Sequence, residues 1–333
     1  MRPEPWIDRL RVWGALAVIA LHVSGPAFRG YPGRPTARWL AANLWNSGTR
    51  WAVPVYLLLS GYLLLGRGRN EAPVAFWRRR SVRIGAPLLF WGAAYAVWYG
   101  ARTVPEVVRA VLVRADAGYH LWFLYALAVL SLGAPVLARM LEKLSPAAAI
   151  TVCALAFAPF LRIPGVPPLV RAEDLPRWLE LGLPFFGYFL LGALLCRQRA
   201  QGPMLLPLLL VLLALAAVVG GTAWSTIRQG AVGHRALQDP LSPGVVLLSA
   251  SLCVLARRAG DGFPLRGLER WAPAVLGVYL VHPMVLEVLA MAGVSLERFP
   301  WWLEVPALTA CVAALSLAVV LGMRRMPVLR RVV

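Results

Sequence analysis

Charge is what this chain has least of. Only 15% of its 333 residues are Asp, Glu, Lys or Arg, against about 25% in soluble domains. Acidic residues are the scarcer sign, 15 against 34 basic ones. With 59% hydrophobic residues and a mean hydropathy of +0.66, the chain has too much apolar surface for one water-bounded core, and lipid becomes the expected solvent. Cysteine is sparse too. Cys153, Cys196, Cys253 and Cys311 each lie in an apolar run and form no CxxC pair. That excludes a disulfide framework and a thiolate metal site, and the four read as small buried hydrophobes. No metal is expected. There is no low-complexity tail, no internal repeat and no loop long enough to hold a second fold, so residues 1–333 read as a single membrane domain. The net charge of +19 suggests nucleic acid, but the arginines sit in short gaps between apolar runs and form no separate basic domain.

What is present is a series of charge-free stretches near the length of a bilayer span, roughly 17–25 residues. They are Val12–Phe28, Trp51–Gly66, Ile84–Ala101, Leu121–Ala138, Leu144–Leu161, Leu181–Cys196, Gly202–Ile227, Pro240–Ala256, Trp271–Leu286 and Val305–Met323. Backbone groups in lipid need partners within their own segment, so these are helices. The short alternating segments of a β-barrel do not occur. The expected fold is all-α: a polytopic membrane protein with ten transmembrane helices. With the N-terminus inside, 21 of the 34 lysines and arginines fall on the inner side. The positive-inside bias therefore favours two cytoplasmic termini.

Polar residues inside spans are costly and become functional candidates by default. Arg11 and His22 are eleven positions apart. At about 100° per residue this is about 20° beyond three full turns, with a rise of about 16 Å, so both lie on one face of the first helix. Asp8 precedes Arg11 by three residues and suits an i,i+3 ion pair. A lone histidine also fits a role in helix–helix hydrogen bonding, and Arg11 fits a topological anchor. Arg78, Arg79, Arg80 and Arg83 form the densest basic cluster. They read either as phosphate ligands or as contacts to anionic lipid. Arg50 stands at the outer end of its helix, where positive charge is disfavoured. His120, Trp122 and Tyr125 share one helix entry, and aromatics there serve as membrane anchors or as sugar platforms. His282 precedes Pro283 and reads as a packing histidine at a kink or as a site residue. Glu287 and Glu304 are each placed to pair with an arginine. Ser60-Gly61 favours close helix approach.

Several blocks, in order, resemble the membrane acyltransferase 3 family, the O-acetyltransferases of bacterial surface glycans. The first is Arg11 to His22. The second is Arg50-Trp51-Ala52-Val53-Pro54-Val55-Tyr56-Leu57-Leu58-Leu59-Ser60-Gly61-Tyr62. Next come Trp77-Arg78-Arg79-Arg80-Ser81-Val82-Arg83-Ile84 with Pro87, then His120-Leu121-Trp122-Phe123-Leu124-Tyr125. Last are Phe185-Phe186-Gly187-Tyr188-Phe189-Leu190-Leu191-Gly192 and Tyr279-Leu280-Val281-His282-Pro283. The resemblance implies an acyltransferase of the bacterial inner membrane that moves acetyl from cytoplasmic acetyl-CoA to a hydroxyl of a surface glycan or lipid-linked sugar. It implies His22 as general base and Arg11 as an essential arginine. Arg11, Arg78, Arg79, Arg80 and Arg83 would face the donor, and Arg50, His120, Tyr125 and His282 the acceptor. Membrane lipids and the two substrates are the expected partners, and the oligomeric state stays open. An exporter or flippase for lipid-linked sugar is the alternative. It has no particular need of a base about 16 Å from a phosphate clamp.

Overall fold

The structure is a computed structural model that describes residues 4–67, 72–197, 201–232, 235–264, 266–294 and 300–333. It is 79% helix. No strand occurs among the described residues, whose one β-bridge joins Ile163 and Val166.

Capping by a side-chain hydroxyl starts several of the helices. α1 (Pro5–Arg29) has Pro5 in its first turn, Asp8 near its positive end and Arg29 near its negative end, as the helix dipole favours. α2 (Ala37–Gly48) is capped by Thr36, whose hydroxyl accepts the Trp39 N–H. α3 (Ala52–Gly61) runs into a π-helical turn, Tyr62–Arg67. α4 (Pro73–Arg80), a second π-helical turn at Ser81–Gly85, and α5 (Ala86–Trp98) follow in one line of sequence. α6 (Val104–Val108) carries a capping box between Thr103 and Glu106 and passes into a third π-helical turn, Arg109–Arg114. Next come α7 (Trp122–Lys143), α8 (Pro146–Phe157), α9 (Arg177–Gly182) and α10 (Phe186–Arg197). The last four are α11 (Leu205–Gln229), α12 (Pro243–Ala259), α13 (Val275–Met291) and α14 (Glu304–Arg324).

Among the described residues, seven helical stretches are long and apolar enough to cross a membrane: 5–29, 122–143, 177–197, 205–229, 236–262, 268–291 and 304–324. The other three expected stretches fall on shorter or interrupted helices. Those are α3 with its π-turn, α5 with the π-turn that precedes it, and α8, which ends in a 3-10 turn at Ala158–Phe160. Much of the apolar surface faces outward. Leu206, Leu209, Leu212 and Leu213 of α11 are all more than half exposed, as lipid-facing residues are. Cys153 and Cys253 are buried as expected, and Cys196 is partly so. Cys311 is instead exposed on α14, because the outer side of a membrane helix is itself apolar.

The chain forms two compact units. Unit 1 comprises residues 1–56, 162–167 and 200–322; unit 2 comprises 57–161, 168–199 and 323–333. In unit 1, α1 packs on α2, α12 and α13, and α11 packs on α2 and α12. In unit 2, α10 packs on α8 and on the π-turn after α3, and α7 packs on α9. Two glycines set that second core. A Cβ on Gly61 would collide with the Phe189 backbone, and one on Gly192 would collide with the Leu58 carbonyl. The close approach expected at Ser60-Gly61 is therefore real, and it is backbone to backbone.

Candidate functional site: a histidine pair and a buried polar lattice

His22 of α1 and His282 of α13 meet in unit 1. His22 Nδ1 lies 2.8 Å from His282 Nε2. The rings are within 9° of parallel with centroids 5.0 Å apart. That separation is what two imidazoles joined edge to edge by this nitrogen contact require. The rings therefore lie in one plane and share a hydrogen bond; they are not stacked face to face. His282 Nδ1 is 2.6 Å from the Tyr279 carbonyl, and a carbonyl only accepts. In the neutral pair His282 thus carries its proton on Nδ1, and its Nε2 accepts from His22 Nδ1–H. The lone pair of His22 is thereby assigned to Nε2. His282 is fully buried, while His22 is half-buried.

Arg11, on the His22 face of α1, is also half-buried. Its guanidinium bonds Asp8 at 3.0 Å, the i,i+3 pair expected from sequence. The Tyr56 hydroxyl donates to the Arg11 carbonyl at 2.6 Å, beside Gly14, where a side chain would crowd the phenol ring. The buried arginine of this helix is a different one, Arg9. It donates to Glu269 at 3.0 Å and to the carbonyls of Asp261 and Phe263 at 2.9 and 2.8 Å. Its acidic partner lies 260 positions away, and nothing nearby in the sequence signals it.

Behind His22 lies a lattice of polar side chains, uncharged except for Arg50. Asn46 donates to the Leu21 carbonyl at 2.9 Å and to Ser24 at 3.3 Å. Its Oδ1 accepts from Arg50 at 2.6 Å. Arg50 also donates to Gln238 at 3.1 Å, and Gln238 donates to Ser47 at 2.6 Å. Ser47 donates to Asn43 at 2.7 Å, and Asn43 to the Val219 carbonyl at 3.0 Å. Asn43, Asn46, Ser47 and Gln238 are all buried. One connected network therefore joins Arg50 to the carbonyl just before His22. A search keyed to charge misses these amides; their signal was polarity within apolar surroundings. Glu304, expected to find an arginine, pairs with Arg38 at 2.7 Å.

The remaining sequence candidates belong to unit 2. Arg78, Arg79 and Arg83 are exposed, and the Arg80 guanidinium sits 5.6 Å from the Phe76 ring centroid. Arg83 lies within a π-helical turn, a distortion frequent at functional sites. His120 is buried and meets the Tyr95 ring edge-on at 4.7 Å. Tyr125 is also buried, and its hydroxyl donates to the Val111 carbonyl at 2.7 Å. That bond fastens α7 to the third π-turn. No group of His, Cys, Asp and Glu that could hold a metal occurs among the described residues.

Seven apolar helices of spanning length among the described residues are those of a multi-pass membrane protein, and within unit 1 two of them are joined by a histidine pair. A family model described as an acyltransferase domain matches residues 4–321, so the chain belongs to the acyltransferase 3 family and is an acyltransferase. No curated protein and no solved structure matches it.

Proposed function

We propose that the protein takes acetyl from cytoplasmic acetyl-CoA and places it on a hydroxyl of a cell-surface glycan or lipid-linked sugar, with His22 as the base. We place it in the bacterial inner membrane as one domain of ten spans with both termini in the cytoplasm. The observation that carries this reading is the in-plane histidine pair, which leaves the His22 lone pair on Nε2. A sugar hydroxyl is a weak nucleophile, and imidazole is the side chain suited to take its proton near neutral pH. The hydroxyl oxygen forms a bond to the thioester carbonyl carbon as its proton passes to His22 Nε2. The carbon–sulfur bond then breaks, and the departing thiolate takes the proton back. His282 accepts from the imidazolium's Nδ1–H throughout and so steadies its charge.

Arginine forks match phosphate oxygens. Arg11 in unit 1 and Arg78, Arg79, Arg80 and Arg83 in unit 2 are the proposed contacts to the donor's phosphates. Arg50 is the proposed acceptor-side cation, with His120 and Tyr125 as supports in unit 2. Membership of an acyltransferase family weighs against the exporter alternative. The test is transfer of labelled acetyl from acetyl-CoA to membrane glycan by purified protein in lipid. His22→Ala and Arg11→Lys proteins that insert normally should lose transfer. Wild-type rates in both would sink the assignment.

A further inference from the structure

We propose that Pro283 is a positioning residue that sets the tautomer of the histidine pair. This inference rests on the reading of His22 as base. In a regular helix the N–H of residue 283 would donate to the carbonyl of residue 279, four positions earlier. Proline has no N–H, and its ring pushes that carbonyl aside. The carbonyl so released is Tyr279's, the one that His282 Nδ1–H reaches at 2.6 Å. Pro283 thus creates the acceptor that its neighbouring side chain uses.

The consequence passes along the pair. With Nδ1 of His282 engaged as donor, Nε2 must accept from His22 Nδ1, and the His22 lone pair falls on Nε2. Give residue 283 an N–H and the helical bond to Tyr279 returns. The carbonyl swings back toward the helix axis, and of the two backbone carbonyls that hydrogen-bond the His282 ring, those of Tyr279 and Val278, only Val278's is left, already the helical acceptor of His282's own N–H. The other tautomer then becomes accessible. There His282 Nε2–H donates to His22 Nδ1, and the His22 proton moves to Nε2, where a base needs a lone pair. A matching break occurs in α1. Pro26 removes the helical donor to the carbonyl of His22 itself, again four residues earlier. Both helices interrupt their ladders at the point where the histidines meet.

The experiment is 15N spectroscopy of histidine-labelled protein in lipid, with signals assigned by difference against His282→Gln. The wild type should show protonated Nδ1 and bare Nε2 on both His22 and His282. Pro283→Ala should mix in the opposite tautomer and lower kcat by about five- to tenfold, the equivalent of one lost hydrogen bond, with KM for acetyl-CoA unchanged. A protonated Nε2 on His282 in the wild type would overturn the inference without recourse to any variant. So would a Pro283→Ala protein whose tautomers and kcat match the wild type. A purely structural proline would lower stability and leave both readouts where they were. If His22→Ala retains transfer, the base assignment fails while the tautomer pattern still stands, so the two failures are separable.

Discussion

The two units solve the same problem, stability in lipid, with different materials. Unit 1 joins helices through polar side chains: Asn46, Arg50, Gln238, Ser47 and Asn43 form one lattice, and His22 bonds His282. Unit 2 joins them by close approach at Gly61 and Gly192, and it contains all three π-helical turns among the described residues. Hydrogen bonds are directional, so the first arrangement holds reactive atoms in register. Glycine contacts depend on shape alone, and π-turns re-aim residues along a helix. The proposed base thus stands in the directionally bonded unit, and the basic turn proposed to meet phosphates stands in the unit that bends its helices.

Four tests probe that contrast, the most severe first. His22→Ala should lower kcat by about 10²–10⁴-fold, the usual contribution of a positioned proton acceptor, in a labelled-acetyl assay. The loss should come with only a modest fall in the unfolding temperature, from the buried His282 Nε2 that the substitution leaves unpaired. Gly192→Leu should do the reverse. It forces side-chain atoms into the Leu58 carbonyl, and overpacking of this kind costs about 1–3 kcal/mol or more. The unfolding temperature in detergent should fall sharply. An unchanged temperature would mean that the backbones are not in contact.

Much of this was legible from the sequence, but unevenly. Spans and the Arg11–His22 stripe follow from local periodicity, as does the Asp8–Arg11 pair. The His22–His282 bond does not, because 260 residues of chain separate its halves and no rule of spacing connects them. His282 was readable only as a histidine at a proline kink. Its Tyr279 partner lies only three residues away, but which ring nitrogen meets that carbonyl is set by the fold and not by spacing. His120 and Tyr125 looked like interfacial rings, since aromatic character is visible in sequence and burial is not. The three π-turns left no signal, because one extra residue per turn hardly alters an apolar pattern.

Two milder tests complete the set. Asn46→Ala removes one node from the lattice of unit 1 and strands polar groups of Arg50 and Gln238. Leaving buried polar groups unpaired costs about 1–3 kcal/mol, above the roughly 0.6 kcal/mol average for interhelical bonds in membranes. Thermal unfolding should register it, and Asn46→Asp, which keeps the acceptor for Arg50, should recover part. The smallest effect is expected outside the spans. The backbone N–H groups of Arg102 and then Thr103 hold the Glu106 carboxyl below its ordinary range. The cap therefore contributes in full above that range and fades as pH falls through the lowered value. Amide exchange at Arg102 and Thr103, corrected for intrinsic rates, should quicken only at acidic pH. In Glu106→Gln the pH dependence should vanish.

Arg9 gives the histidine pair a remote setting screw. It lies thirteen residues, about 20 Å, before His22 along α1. Its guanidinium grips the carbonyls of Asp261 and Phe263 and the carboxylate of Glu269, just ahead of α13. Two rods pinned together near one end cannot slide freely past each other. The 2.8 Å between the imidazoles is thus governed partly from the far end of α1, and a change there would mistune the chemistry without touching either ring.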